Sequence, residues 1–311
     1  MSLFAPPKDL KAEVFASLPD DLRLVGKPSL WVDANKPGEK VDSFLEGPSF
    51  DADGNLYLVD IPYGRILKVD PAGTWSLVAD YDGWPNGLKF HRDGRAFIAD
   101  YRRGILALDP ASGAIEEVFT GRASESFRGC NDLFFADDGL LYFTDQGQTG
   151  LQDPTGRVFR ADLESRHLTL LLNSGVSPNG LVMDRAQRQL YVAMTRGNAV
   201  WRLILQADGS VSKVGIFLQL SGGHSGPDGL AIDQEGNIYV AHAGMGCVWV
   251  FSPLGEPIWR IRCEEIGLTT TNIAFGGPER RDLYITVSDA GVVARVTLPT
   301  PGQPLYGPAS A

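Results

Sequence analysis

Asp228-Gly229-Leu230-Ala231-Ile232-Asp233-Gln234-Glu235-Gly236-Asn237-Ile238-Tyr239-Val240-Ala241 decides the fold. A polar residue leads an apolar run, an acidic-Gly pair follows, and a second apolar run with an aromatic closes the stretch. That is the pattern of two strands joined by a tight hairpin. The same stretch recurs along the chain. Its lead residue, here termed the pivot, is Glu46, Asn86, Asn131, Asn179, Asp228 and Asn272, and successive pivots lie 40, 45, 48, 49 and 44 residues apart. Periods near 40–50 residues mark propeller blades.

Working outward, a third apolar segment follows each pair: Arg65-Ile-Leu-Lys-Val, Gly104-Ile-Leu-Ala-Leu, Arg157-Val-Phe-Arg, Ala199-Val-Trp-Arg, Cys247-Val-Trp-Val and Val292-Val-Ala-Arg. A fourth is legible in most repeats, as in Leu168-Thr-Leu-Leu-Leu. No segment sustains a helical period. The expectation is an all-β, six-bladed β-propeller with four-stranded antiparallel blades, spanning residues 1–311 as one domain. The sixth repeat runs out after three strands at Pro299. Ala12-Glu-Val-Phe-Ala resembles the fourth-strand segment Glu116-Glu-Val-Phe-Thr, so the N-terminal strand is expected to complete the last blade and close the ring. Residues 18–45 then form a long lead-in loop.

Composition narrows the partners. The formal charge is −10, from 38 acidic and 28 basic residues, which argues against nucleic acid and anionic membrane partners. No run approaches the ~18 apolar residues of a membrane span. Met1 to Leu10 lacks the apolar core of a signal peptide. Three cysteines, Cys130, Cys247 and Cys263, fit no metal spacing and read as reduced thiols of a cytoplasmic protein. A monomer or small homo-oligomer acting on a small molecule is the expected form.

Chain direction places the pivots. Each starts an innermost strand, so all six converge on one mouth of the axial channel. Second strands return to that mouth and end in a wider ring: Asp60, Asp100, Asp145, Met194, His242 and Val287. Pro-Asn-Gly and Pro-Asp-Gly are also ordinary turn sequences, and turn chemistry is the competing reading of each pivot taken alone. It fits Glu46 and the Gly-free Cys130-Asn131-Asp132 poorly. Glu46 and Asp228 in one narrow mouth repel unless a cation lies between them. With the amide oxygens of Asn131 and Asn179 they make a hard, all-oxygen set of the kind calcium takes. No His or Cys cluster offers the softer set zinc prefers.

Glu46-Gly-Pro, Asn131-Asp132, Ser177-Pro-Asn179-Gly-Leu and Gly226-Pro-Asp228-Gly-Leu together resemble the gluconolactonase and regucalcin (senescence marker protein) lactonases, with diisopropylfluorophosphatase and the paraoxonases as more distant relatives. The resemblance covers nearly the whole chain. It implies a catalytic divalent ion, Ca2+ or another such as Zn2+, Mg2+ or Mn2+, held by Glu46, Asn131, Asn179 and Asp228. It also implies hydrolysis of a lactone: the ion activates the carbonyl, water attacks, and Asp228 serves as general base or water-positioning group. Arg128, Asn86, Asp145 and His224 are the expected substrate-binding residues. Asn86 and Asn272 have turn roles as alternatives, favoured for Asn272, and Asp132 and Asp145 have a second calcium or ion-pair roles. Several sugar lactonases carry Arg two residues before the third-blade Asn, where this chain has Gly129. The competing functions are a phosphotriesterase-like hydrolase on the same site and a non-enzymatic ligand-binding propeller.

Overall fold

The structure, a computed structural model, describes residues 4–307; residues 1–3, part of the chain start read above, lie outside it. Six four-stranded antiparallel sheets follow one another along the chain. Blade one comprises Leu45–Phe50, Leu56–Asp60, Arg65–Val69 and Trp75–Asp80. Blades two to five begin with innermost strands Pro85–Phe90, Cys130–Phe135, Pro178–Met183 and Gly226–Ile232. Blade six has Thr270–Gly276, Asp282–Val287 and Val292–Thr297 from the end of the chain. Each innermost strand packs against those of both neighbouring blades, so the six close into a ring.

Glu13–Ser17 pairs antiparallel with Val292–Thr297 and completes blade six, as the sequence led us to expect. The residues just before it do something the sequence did not announce. Lys8–Lys11 adds a fifth, parallel strand to the outer edge of blade five, alongside Pro257–Arg262. The N-terminal segment therefore stitches the last two blades together and covers an exposed sheet edge.

Burial explains why the second strands read as continuous apolar runs. Leu56–Asp60, Ala96–Asp100 and Leu141–Asp145 are buried along their whole length, packed between neighbouring sheets. Outer strands such as Val211–Gln219 are largely exposed. The hairpin between the first two strands places its eighth residue after the pivot in left-handed backbone in every blade: Gly54, Gly94, Gly139, Gln187, Gly236 and Arg280. Four of the six use glycine, which takes a positive φ without steric cost.

At the far mouth the chain's last described residues form a strap. Gln303 N donates to Ile232 O (3.0 Å) and Gly302 N to Arg280 O (2.7 Å), on blades five and six. The strap then reaches blades two and three, where Tyr306 packs against His91 and Phe135 under the Arg92 guanidinium. Among the described residues no helix is long and apolar enough to cross a membrane.

Candidate active site

Two local devices aim the pivots inward. The first is a β-bulge. In all six blades the pairing between innermost and second strands slips by one residue at the pivot, as from Glu46↔Val59 to Ser49↔Tyr57 and from Cys130↔Asp145 to Leu133↔Phe143. Alternation breaks there, so adjacent Asn131 and Asp132 are both buried. The second device is the glycine that follows four pivots. A Cβ on Gly47 would stand 2.6 Å from Asn86 O, and one on Gly87 2.6 Å from Asp132 Oδ1. A Cβ on Gly180 or Gly229 would collide with the pivot of the next blade. The Asn-Gly and Asp-Gly pairs read as turns thus serve close approach of neighbouring strands around a narrow axis.

The pit so formed gathers three carboxylates: Glu46 and Asp132, both buried, and Asp228, partly open to solvent. Asn272 Nδ2 bridges two of them, donating to Glu46 Oε2 (2.8 Å) and Asp132 Oδ2 (3.3 Å). The Asn179 amide is hydrogen-bonded to Asp228. No cation pairs with any of the three among the described residues. Burial, and next the charge of Asp132, push the Glu46 carboxyl up to about 7. Burial and then the charges of Glu46 and Asp132 lift Asp228 well above the ordinary carboxylate range, and burial raises Asp132. Together these three acids cannot all stay ionised cheaply.

The donor set fits a hard cation. No three His, Cys, Asp or Glu side chains form a ready-made cage among the described residues, so any ion here needs the amides. Asn131 supplies the sign. Its Nδ2 donates to Gln146 Oε1 (3.1 Å), which fixes the amide, while its buried Oδ1 has no hydrogen-bond partner among the described groups. A buried carbonyl oxygen left unpaired beside carboxylates in need of positive charge is what an oxygen-ligated divalent ion would satisfy.

The wider ring corrects one expectation. Asp145, expected at the substrate, is fully buried and already engaged. It accepts from Arg128 N (2.7 Å), Gly129 N (2.8 Å) and Arg157 Nε (2.6 Å). Asp60 and Asp100 repeat the arrangement. Asp60 accepts from Phe44 N (2.7 Å) and Arg65 Nε (2.9 Å), and Asp100 from Tyr81 OH (2.8 Å) and the backbone of Arg102 and Arg103. Asp60 and Asp145 pin the loop that delivers the pivot of their own blade, Glu46 and Asn131. In blade five the equivalent residue is His242, whose Nδ1 accepts from Trp249 Nε1 (3.1 Å) and is therefore unprotonated.

The remaining expected substrate contacts differ in placement. Asn86 is half-buried at its pivot position. Arg128 is exposed and its Nη1 donates to Thr155 O (2.7 Å), tying down the loop of residues 146–155. His224 is exposed on the loop before Asp228. The Tyr101 ring explains Gly129: a Cβ there would lie 2.5 Å from its carbons, so this chain has no room for a side chain at that position. Sequence reasoning assigned Asn272 to a turn, whereas its buried amide joins two site carboxylates. Its place in the pivot series was the signal. Arg196, near enough to Asp228 to favour its ionised form, had no such signal.

Comparisons with known proteins place the chain in a family. Residues 44–289 match the family model described as SMP-30/Gluconolactonase/LRE-like region. Lactonase drp35 of Staphylococcus epidermidis is 32% identical over 241 residues, 74% of this chain and 72% of that protein. Its namesake from Staphylococcus aureus is 30% identical over 274 residues, 83% and 82% of the two chains. Among solved structures, a regucalcin from Agrobacterium tumefaciens, described as a calcium-binding protein, superposes with a TM-score of 0.76 at 21% identity, covering 98% of this chain and 100% of its own. A gluconolactonase from Xanthomonas campestris gives 0.74 at 22%, covering 92% and 99%. These structures speak for the fold, and the sequence matches speak for descent. The chain belongs to the SMP-30/gluconolactonase/LRE-like family of lactonases.

Proposed function

We propose that this protein opens a small lactone by hydrolysis at the axial mouth, using a divalent ion, calcium by its donor set, held by Glu46, Asn131, Asn179 and Asp228. The observation that carries the reading is the unpartnered Asn131 Oδ1 together with carboxylates that burial and one another's charge push upward and that form no ion pair among the described residues. The curated lactonase relatives support the substrate class. Bound there, the ion would supply Lewis acidity to a carbonyl oxygen.

The chain's own residues do the rest. Asp228 is the carboxylate of the pit that solvent reaches. Its Oδ accepts a hydrogen bond from the attacking water and takes its proton as the new C–O bond forms. The same carboxyl returns that proton to the ring oxygen as the ester bond breaks, leaving a hydroxy acid. Glu46, buried and tied to Asn272 and the Gly47 N–H, stays a holding group. Asn86 and His224 face substrate from the rim. The free thiols of Cys130, Cys247 and Cys263 favour a reducing, cytoplasmic setting.

The test is metal analysis of the purified protein with a panel of lactones and organophosphates, with and without a chelator. Chelator-sensitive lactone turnover, restored by calcium and lost in Glu46→Gln, is expected. Absence of lactone turnover with calcium, magnesium, manganese and zinc each supplied would overturn the reading, and organophosphate turnover alone would replace it.

A further inference from the structure

The rim of the pit holds one cation without an assignment. Arg196 belongs to the one-turn 3-10 segment Thr195–Gly197 after the second strand of blade four, and its side chain has no ion pair, hydrogen bond or ring partner among the described residues. Other arginines on the mouth loops are engaged. Arg23 pairs with Asp42, Arg65 with Asp60, Arg102 with Asp82, Arg103 with Glu117, and Arg157 with Asp145. An exposed arginine is often merely solvated, so its placement has to decide.

Arg196 stands on a fixed platform beside Asp228. Thr195 Oγ1 donates to Pro227 O (2.8 Å), one residue from Asp228, and Thr195 N donates to Ser177 O (3.0 Å). Asn198, in left-handed backbone, closes the turn by donating to Thr195 O (3.1 Å), and its Nδ2 donates to Gly222 O (3.0 Å). The residues on both sides of Arg196 are therefore tied, through the Thr195 and Asn198 side chains, to the first strand of blade five and the loop before it. Its charge is felt by the Asp228 carboxyl, yet the two form no pair. All five guanidinium N–H groups remain available to a ligand entering the mouth. On blade two the rings of Trp84 and Tyr101 lie side by side, with the Arg102 guanidinium, already paired with Asp82, over Trp84.

We propose that Arg196 is a substrate-recognition residue and that the lactone this mouth selects carries a carboxylate, gripped by the guanidinium at the blade-four rim. The inference rests on the lactone reading above. A planar guanidinium matches a carboxylate with two parallel hydrogen bonds. A cation at the rim also offsets the pit's repulsion of an anionic substrate.

A matched pair tests it: γ-butyrolactone bearing a γ-carboxylate, and the same ring bearing a carboxamide. The wild type should favour the carboxylate in kcat/KM, and the preference should shrink as salt rises. Arg196→Ala should cut the ratio of the two substrates about tenfold or more, mainly through KM for the carboxylate, and Arg196→Lys should recover part of it. Equal loss on both substrates, or no initial preference, would refute the proposal. If neither lactone turns over, the lactone reading is what fails. Calorimetry with the hydroxy-diacid that the carboxylate lactone opens to then decides the anion site: binding weakened about tenfold by Arg196→Ala upholds it, and equal binding by both proteins refutes it.

Discussion

Two sets of acidic residues surround the axial mouth, and they differ in what is aimed at them. Asp60, Asp100 and Asp145 sit at the ends of second strands, each fully buried and each met by backbone N–H groups, a tyrosine hydroxyl or an arginine. Glu46, Asp132 and Asp228 sit at or beside the pivots, with amide donors but no ion pair among the described residues. The same residue types serve structure in one set and leave unresolved charge in the other. A buried carboxylate surrounded by donors holds loops in place. A carboxylate crowded by others, without an ion-pair partner, marks a place for a ligand.

The sharpest way to break this contrast is Asp228→Asn. We expect about a thousandfold or greater loss of lactone kcat, the scale of a lost proton-transfer group, with the fold kept. Steady-state kinetics with circular dichroism checks it. Asp145→Ala should do the opposite. It strands the nearly buried Arg157 guanidinium and two loop N–H groups, at a cost of about 3–5 kcal/mol in urea denaturation.

The third prediction concerns pH. The folded Glu46 carboxyl titrates at about 7 against an ordinary value of 4.5. An acid raised in the folded state favours folding while both states are protonated, and that contribution is lost as pH rises from 4.5 through about 7. Ion-free protein should therefore lose thermal stability across this window. Calcium should raise Tm more on the alkaline side than on the acid side, because binding needs the ionised carboxylates. Calorimetry over this range checks it, and a calcium shift that ignores pH would sink the pit's electrostatics. Glu46→Gln should flatten the ion-free pH dependence.

The smallest effect separates two kinds of glycine. Gly229→Ala drives a Cβ into Asn272, beside the site, whereas Gly54 has open space around its missing side chain and only its positive φ to defend. We expect about 1–3 kcal/mol for the first, the scale of overpacking, and about 1 kcal/mol for the second, read as shifts in denaturation midpoint.

Much of this was legible in the chain of letters. The spacing of Glu46, Asn86, Asn131, Asn179, Asp228 and Asn272, with the paired apolar runs behind each, specified blade number, strand order and the mouth where the pivots meet. Ala12-Glu-Val-Phe-Ala announced ring closure. These features are local and periodic, and periodicity survives in one dimension. What the tertiary structure decided depends on residues from different blades meeting. Asp132 joins the pit through a bulge that breaks strand alternation. Asn272 bridges Glu46 across the closure between blades six and one. Asp145 is occupied by Arg157 and the loop before Asn131, and Gly129 is bare because Tyr101 of the neighbouring blade lies over it. Lys8–Lys11 finds its sheet only once blade five exists to receive it. A sequence pattern fixes which way a strand faces. Which charges come to share a pit, and which find a partner first, is fixed by the geometry of the closed ring.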